Sequence, residues 1–380
     1  MNRSKKPNVS LLPEPIALQH KLAPQHEPSP LRAPRPLPLF LELVRRTAER
    51  DPELARAALD GLAAYEQATR PPPIPPRPEV ASVGPARLRD HGGTGPVAIL
   101  VPSPINPPHI LDLDSQVSLT AAIAGMGRRV LLLDWGEARG RADLSVSGHV
   151  EQLLLPLLRE ISDPAGLIGY CLGGTMAMAA ANLVPVERVI TLAAPWRFSG
   201  YPDAGRNNLL AMWHHARPAA QALGALPMEV LQAAFWSLDP DRTVSKFAKF
   251  AKLDPNGADA SRFVQLEDWA NQGEPLPCAA AAELMEQFFG NDLPGSGDWA
   301  IAGTAITDRP IFDRLPVPLL HFTAAHDRIT PAAAAPAGDA VEIASGHVGM
   351  VVGGARQKLY AGLKAFLDPS PLLAAKQRHR

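Results

Sequence analysis

Residues 166–174 read GLIGYCLGG, an apolar run that leads into a cysteine flanked by glycines. A run of small residues with helical character, TMAMAAA at 175–181, follows it. A strand, a sharp turn and a helix in this order have the form of a nucleophile elbow with sulfur in place of oxygen. The turn strains its central residue, and it places Cys171 at a helix N-terminus, where the partial positive charge favours the thiolate. An isolated pattern of this kind is equally compatible with a buried structural cysteine beside a glycine turn.

The chain from residue 96 onward alternates short apolar runs with helical segments. The predicted strands are 97–101, 129–133, 167–170, 188–192, 318–322 and 340–343. The predicted helices are 115–125, 148–160, 175–183 and 354–366. Strands and helices that alternate at this spacing imply an α/β fold, with a mostly parallel sheet covered by helices on both faces.

The sequence predicts three regions. Residues 1–90 hold 17 of the 41 prolines and form a proline-rich N-terminal extension with a helical hairpin at about 39–68. Residues 91–198 and 316–370 form the α/β core, whereas residues 199–315 lack a strand rhythm and form an inserted helical cap. We expect the hairpin to dock on the main domain rather than to form a separate binding arm.

Composition excludes several classes of function. The 37 basic and 38 acidic side chains balance, so nucleic acid is not an expected partner. The two cysteines, Cys171 and Cys278, cannot make a disulfide framework, so a cytoplasmic location is expected. Apolar runs are too short for a transmembrane segment, and the N-terminus lacks the core of a signal peptide. No motif or ligand spacing predicts a nucleotide cofactor or a metal.

A nucleophilic cysteine needs a base, and the base needs an acceptor that orients it. Asp327 and His347 each follow a predicted strand, in the order nucleophile, acid, histidine that this architecture requires. Asp327 is predicted to fix the imidazole tautomer, and His347 to deprotonate Cys171. His326 adjoins Asp327 and is predicted to be only a loop residue.

Acyl transfer also needs donors for the developing oxyanion. The amide of Leu172, directly after the nucleophile, is one predicted donor. The second is expected in the loop after strand 97–101, where the prolines lack N–H groups, and we assign it to Ile105. Asn106 and Trp269 are candidate substrate-binding residues, although Asn106 is equally compatible with a turn and Trp269 with packing of the cap.

Together these residues resemble the polyhydroxyalkanoate (poly-3-hydroxybutyrate) synthases, the cysteine-nucleophile branch of the α/β-hydrolase superfamily. The resemblance covers about residues 95–367 and rests on the motifs GYCLGG, ILVPSPINPPHILDL, RRVLLLDWG, LEDW, DRITP and GHVG. It implies an α/β-hydrolase fold with an inserted cap. Glu137-Ala138 replaces the proline that often follows D-W-G, and the common D-H-I reads Asp327-Arg328-Ile329, so the subclass stays open.

The resemblance implies an acyltransferase that polymerises (R)-3-hydroxyacyl-CoA into polyhydroxyalkanoate through a thioester on Cys171, with release of CoA. It leaves open whether Asp327 also helps to activate the attacking hydroxyl group, besides orienting His347. CoA enters only as part of the substrate, and no cofactor is implied. The implied partners are the growing polyester, the granule surface and either a second copy or a partner synthase subunit. Two alternatives stay open: a thioesterase or polyester hydrolase with the same triad, and a non-catalytic granule-associated protein.

Overall fold

A computed structural model describes residues 33–71 and 75–368 of the chain. The helices are α1 (Leu37–Ala48), α2 (Pro52–Gln67), α3 (Leu119–Ala124), α4 (Val146–His149), α5 (Leu155–Arg159), α6 (Leu172–Ala181), α7 (Asp203–Leu223), α8 (Met228–Ser237), α9 (Pro240–Phe250), α10 (Ala258–Asn271), α11 (Cys278–Ala282), α12 (Leu293–Ser296), α13 (Gly349–Val352) and α14 (Arg356–Leu367). The strands are β1 (Glu79–Val83), β2 (Ala86–Asp90), β3 (Val97–Val101), β4 (Arg129–Asp134), β5 (Gly166–Tyr170), β6 (Arg188–Leu192), β7 (Ala225–Leu226), β8 (Leu276–Pro277), β9 (Ala300–Ile301), β10 (Thr304–Ala305), β11 (Ile311–Phe312), β12 (Leu315–Pro316), β13 (Leu319–Ala324) and β14 (Ala340–Ile343). The predicted proline-rich stretch before residue 33 lies outside the described residues.

The central sheet of the described chain has eight strands in the order β1-β2-β4-β3-β5-β6-β13-β14. β2 pairs antiparallel with β1 and β4, and the remaining pairs are parallel. β5 and β6 are buried along their whole length because helices cover both faces of the sheet. The predicted α/β fold with a mostly parallel sheet flanked by helices is confirmed. The strands predicted at 97–101, 188–192 and 340–343 have the predicted bounds.

The sheet begins earlier in the chain than the sequence predicted. β1 and β2 form a hairpin at one edge, within the span predicted as part of the N-terminal extension 1–90. β2 (ARLRD) has charged side chains at three of its five positions, and β1 (EVASV) is largely exposed. An exposed edge strand lacks the continuous apolar run of a central parallel strand, so this pattern gave no strand signal.

The predicted helical hairpin at 39–68 is observed as α1 and α2. Asp51 caps α2 by accepting a hydrogen bond from the amide of Leu54 at 2.9 Å, as the Asp-Pro pair predicts. Buried side chains of both helices, including Phe40 and Tyr65, form one hydrophobic cluster with Phe247 of α9 and Val264 of α10. The hairpin therefore packs against helices that lie between β6 and β13, in the span predicted as the cap.

A buried ionic network lies at the amino ends of the central strands. Arg128 precedes β4 and pairs with Glu187, which precedes β6. Arg128 also donates to the carbonyl oxygen of Leu367 at 2.5 Å, and Arg188 donates to Glu187 at 2.7 Å. These arginines satisfy backbone carbonyls at the end of α14, where helical partners are lacking.

Close backbone contact fixes the start of α6 against the sheet. A Cβ atom at Gly173 would lie 2.1 Å from the carbonyl oxygen of Val101, the last residue of β3. A Cβ atom at Gly169 would lie 2.3 Å from the Cα atom of Gly174. Real Cβ atoms do not approach other atoms this closely, so both glycines are sterically required where β5 turns into α6.

Replacement of Gly173 by alanine is expected to destabilise the fold. The new methyl group meets backbone rather than a movable side chain, so β3 and α6 must separate, and we expect a loss of at least about 2 kcal/mol in the free energy of unfolding. Urea unfolding of Gly173→Ala and the parent chain measures this difference. Gly205→Ala is the control, because the Gly205 site in α7 has no atom within 4 Å of its Cβ position. Equal stability of the parent and Gly173→Ala would contradict the tight contact.

Candidate active site

Cys171 occupies the turn between β5 and α6 with a strained backbone. Its φ is 55° and its ψ is −134°, a conformation that side-chain-bearing residues rarely adopt. Such strain is of order 1–3 kcal/mol and persists only where the surrounding structure enforces it. The conformation leaves Cys171 at the N-terminus of α6, and the next amide, that of Leu172, lies in the first turn, where backbone N–H groups lack helical partners.

Asp327 and His347 form a buried hydrogen-bonded pair at the carboxyl ends of neighbouring strands. Asp327 follows β13, His347 follows β14, and Asp327 Oδ2 lies 2.7 Å from His347 Nδ1. The other carboxylate oxygen accepts from the amides of Ile329 and Thr330, each at 2.8 Å. Asp327 therefore holds the imidazole with Nδ1 protonated, which leaves Nε2 to act as a base.

The charges around His347 favour its protonated form. Burial acts to lower the pKa of His347, but the negative charges of Cys171 and Asp327, with the hydrogen bond to Asp327, outweigh burial and raise that pKa to about 10. His347 is therefore an imidazolium at neutral pH whenever Cys171 carries its negative charge. A thiolate beside an imidazolium is the ion pair that a nucleophilic cysteine requires in general.

Two tyrosines that the sequence did not single out border this pair. The ring of Tyr170 lies 5.1 Å from the imidazole of His347 between centroids, and its hydroxyl donates to the His347 carbonyl oxygen at 3.3 Å. Tyr201 lines a cavity beside Asp327. Burial and nearby negative charge raise the pKa of both phenols, so both stay neutral. The position of Tyr170 next to the cysteine was the signal that could have identified it.

Two cavities in the described structure meet at Cys171. The smaller, of about 190 Å³, is lined by residues that include Cys171, His347 and Gln232. The larger, of about 370 Å³, includes Cys171, Leu172 and Asp327 and is otherwise largely apolar. Ile105, Cys171, Phe235 and Ile329 line both cavities, so the sulfur is accessible from two sides.

The remaining predicted site residues surround these cavities. Ile105 and Asn106 follow β3, and Asn106 and Trp269 line the smaller cavity. The Ile105 amide donates to the Ser103 hydroxyl oxygen at 3.3 Å, and the Trp269 indole N–H donates to the carbonyl oxygen of Pro107 at 2.9 Å. The structure thus brings all seven predicted site residues to one region.

Other candidate groups lie elsewhere. His326 is exposed, and its backbone amide donates to the carbonyl oxygen of Ser345. Cys278 begins α11 and is absent from the lining of both cavities. Within residues 33–71 and 75–368, His, Cys, Asp and Glu side chains form no group of three that could hold a metal ion. None of the helices described combines the length and the apolar character needed to cross a bilayer.

Comparison of the sequence with curated proteins finds relatives that share one name. A protein of Haloferax mediterranei named poly(3-hydroxyalkanoate) polymerase subunit PhaC is 27% identical over 275 residues, which cover 67% of this chain and 54% of the relative. A protein of the same name from Allochromatium vinosum is 26% identical over 282 residues, covering 68% of this chain and 77% of the relative. The chain is homologous to poly(3-hydroxyalkanoate) polymerase subunits. The predicted resemblance to the polyhydroxyalkanoate synthases is confirmed.

The similarity to these polymerase subunits is partial. The chain spans about half the length of the first relatives it matches, 54% and 56% of two proteins. No protein-family model matches the chain. Among solved structures, a hydrolase from Pseudomonas aeruginosa PA01 is similar at a TM-score of 0.48 and 18% identity, covering 74% of this chain and 94% of that one. The meta-cleavage product hydrolase of Pseudomonas fluorescens IP01 gives 0.45 at 15% identity, covering 77% and 98%.

Removal of the Cys171 sulfur is expected to lower the pKa of His347. Among the causes that raise this pKa, the charge of Cys171 is the largest, so Cys171→Ala should move the titration of His347 down from about 10 towards 6.5. NMR titration of ring-labelled histidine, with the His347 signal assigned through His347→Gln, measures the shift. Cys278→Ala is the matched control and should leave the titration unchanged. An identical His347 titration in Cys171→Ala and the parent would contradict the ion pair.

Proposed function

We propose that this chain polymerises (R)-3-hydroxyacyl-CoA into polyhydroxyalkanoate, with Cys171 as the covalent nucleophile, His347 as the base and Asp327 as its orienting partner. The observation that carries the proposal is the convergence of these three residues at the elbow, in a chain homologous to poly(3-hydroxyalkanoate) polymerase subunits. CoA is part of the substrate, and the reaction needs no other cofactor.

The first step transfers the acyl group to sulfur. The thiolate of Cys171 attacks the thioester carbonyl carbon, and the negative charge that develops on the carbonyl oxygen is stabilised by the amides of Leu172 and Ile105. Collapse of this intermediate breaks the bond to the sulfur of CoA. His347, protonated before attack, donates its proton to the departing thiolate, so that CoA leaves as a thiol and the imidazole is neutral.

The second step forms the ester bond. The hydroxyl group of another 3-hydroxyacyl unit attacks the Cys171 thioester, and neutral His347 accepts the hydroxyl proton. The carbon–sulfur bond breaks, and the thiolate of Cys171 is restored beside imidazolium. A thioester is close in free energy to the incoming thioester and more reactive towards an alcohol than an ester, so sulfur suits repeated transfer.

The contacts of Asp327 favour an orienting role over direct activation of the hydroxyl. One carboxylate oxygen holds His347 Nδ1, and the other accepts the amides of Ile329 and Thr330. Both oxygens are thus already engaged within the protein. A carboxylate in this state stabilises the imidazolium that is present before the first step and forms again in the second, without itself taking the proton.

The cavities support synthesis over hydrolysis. The larger cavity beside Cys171 has walls formed by Phe198, Leu231, Leu284 and Phe289 among other apolar side chains. Such walls accommodate an aliphatic acyl chain and offer few hydrogen-bond partners to water. The thioester on Cys171 would then be attacked by the hydroxyl group of a bound 3-hydroxyacyl unit more often than by a water molecule.

We further propose that the growing polyester is the second ligand and that the chain acts in the cytoplasm at the surface of the polyester granule. Its relatives carry the name of polymerase subunits, and we propose that the active form is either a homodimer of this chain or an assembly with a partner synthase subunit. Size-exclusion chromatography with light scattering, with and without substrate, distinguishes a self-assembling chain from one that stays monomeric.

Incubation of the purified full chain with 3-hydroxybutyryl-CoA, and separately with a medium-chain 3-hydroxyacyl-CoA, is expected to release thiol and to produce turbidity together. Cys171→Ala should lose at least about 1000-fold in rate, because the covalent nucleophile is absent. Cys278→Ala should match the parent chain. Thiol titration, light scattering and chromatography of free acid measure the three products.

The products discriminate between the alternatives. Thiol release that is matched by free acid, without polymer, would establish a thioesterase or hydrolase instead. Thiol release and turbidity that persist undiminished in Cys171→Ala would remove this residue from the mechanism. Absence of every signal with both substrates would count against catalysis by this chain alone and leave an assembly with a partner synthase subunit or the non-catalytic granule protein.

A further inference from the structure

The loop at residues 102–107, here named the proline loop, carries the Ile105 amide assigned to the oxyanion. Its sequence, PSPINP, supplies few N–H groups for contacts of its own. Its position must therefore be fixed mainly by donors that bind its carbonyl groups from outside. An oxyanion donor contributes fully only when it is held in place before the charge develops.

Two such donors come from the core. The indole N–H of Trp135, which follows β4, donates to the carbonyl oxygen of Pro102 at 2.9 Å. Arg141, which is 2% exposed, donates to the carbonyl oxygen of Pro104 at 2.8 Å. Both bonds hold the first half of the proline loop to the segment that follows β4.

Two further donors come from the helical region between β6 and β13. The amide of Glu274 donates to the carbonyl oxygen of Ile105 at 2.8 Å. The indole N–H of Trp269 in α10 donates to the carbonyl oxygen of Pro107 at 2.9 Å. The half of the loop that carries the oxyanion donor is thus held by α10 and the segment that follows it.

The residues that precede Trp269 connect α10 to the N-terminal hairpin. Asp268 accepts from the Tyr65 hydroxyl at 2.5 Å and from Arg70 Nε and Nη2, each at 3.1 Å. Tyr65 belongs to α2 and lies more than 200 positions away in sequence. Asn271 reinforces the contact, because its Nδ2 donates to the Tyr65 hydroxyl oxygen at 3.2 Å.

The hairpin is itself rigidly attached to α9. A Cβ atom at Gly61 of α2 would lie 2.0 Å from the carbonyl oxygen of Phe247, so the two helices are in backbone contact. Glu267 accepts from Lys246 of α9 at 2.7 and 2.8 Å. The consecutive side chains of Glu267, Asp268 and Trp269 therefore form hydrogen bonds to α9, to the hairpin and to the proline loop, respectively.

We infer that Asp268 and Trp269 are positioning residues, through which the N-terminal hairpin fixes the oxyanion donor of the proline loop. The inference rests on the proposed function and goes beyond it. The hairpin is then part of the catalytic scaffold and not only a docked appendage. Loss of a contact anywhere along the series from Tyr65 to Pro107 should slow attack on the thioester while leaving the thiolate of Cys171 intact.

Trp269→Phe and Tyr65→Phe test this series, because each removes one donor and keeps the ring. We expect Trp269→Phe to lower the rate constant for acylation of Cys171 by 3-hydroxybutyryl-CoA about 10-fold, with the half-saturating concentration within about twofold of the parent. Tyr65→Phe should lower it about 3-fold. The double variant should resemble Trp269→Phe alone, because the two contacts act in series.

Alkylation of Cys171 by iodoacetamide separates positioning from general damage. Alkylation needs the thiolate but no oxyanion donor, so its rate should be unchanged in both variants. Trp213→Phe is the matched control. It loses an indole donor to Glu286 at 2.7 Å, away from the proline loop, and should acylate at the parent rate. Parallel loss of acylation and alkylation in Trp269→Phe would overturn the inference in favour of a purely structural role.

Hydrogen exchange of the peptide containing Ile105 and Asn106 gives a readout independent of turnover. Exchange should accelerate in Trp269→Phe and Tyr65→Phe but not in Trp213→Phe. If the parent chain forms no acyl-enzyme, the proposed function fails, and exchange still tests the positioning. Parent-like exchange in both variants would overturn the inference, whether or not the chain is acylated.

Discussion

Cys171 can hold its strained backbone conformation only because no side chain separates the start of α6 from β3. The Cβ positions of Gly169 and Gly173 are occupied by backbone atoms of neighbouring segments. Any larger residue at these positions would push α6 away from the sheet and relax the turn. The site therefore depends on the close approach of α6 to the sheet, which only glycine permits at these two positions. This approach holds the Cys171 sulfur at the strained turn.

The elbow, the alternation of strands and helices and the Asp327–His347 pair were predictable, because each follows from local sequence. The run GLIGYCLGG specifies a strand, a turn and a helix within nine residues. Asp327 and His347 directly follow β13 and β14, and the carboxyl ends of parallel strands meet at one edge of the sheet. The three triad residues can therefore be recognised from their order along the chain, without knowledge of distant contacts.

Most of what sequence reasoning missed depends on distant contacts. β1 and β2 join the sheet only because β4 offers an edge to pair with, since β1 is largely exposed and three of the five residues of β2 are charged. One miss was local: α3 begins at Leu119 and not at 115, because Ser118 accepts from the amide of Ala121 and caps it there. The orientation of the Trp269 indole is set by Pro107, which lies 162 positions away. No periodicity encodes such a contact.

The buried arginines and Glu187 occupy the edge of the sheet opposite to the cysteine. Arg128 and Arg188 tie the amino ends of β4 and β6 to the last turn of α14, whereas the reacting groups follow the carboxyl ends of β5, β13 and β14. This network therefore stabilises the sheet at the end that carries no reacting group. Weakening the network should lower the stability of the fold while the contacts among Cys171, Asp327 and His347 stay in place.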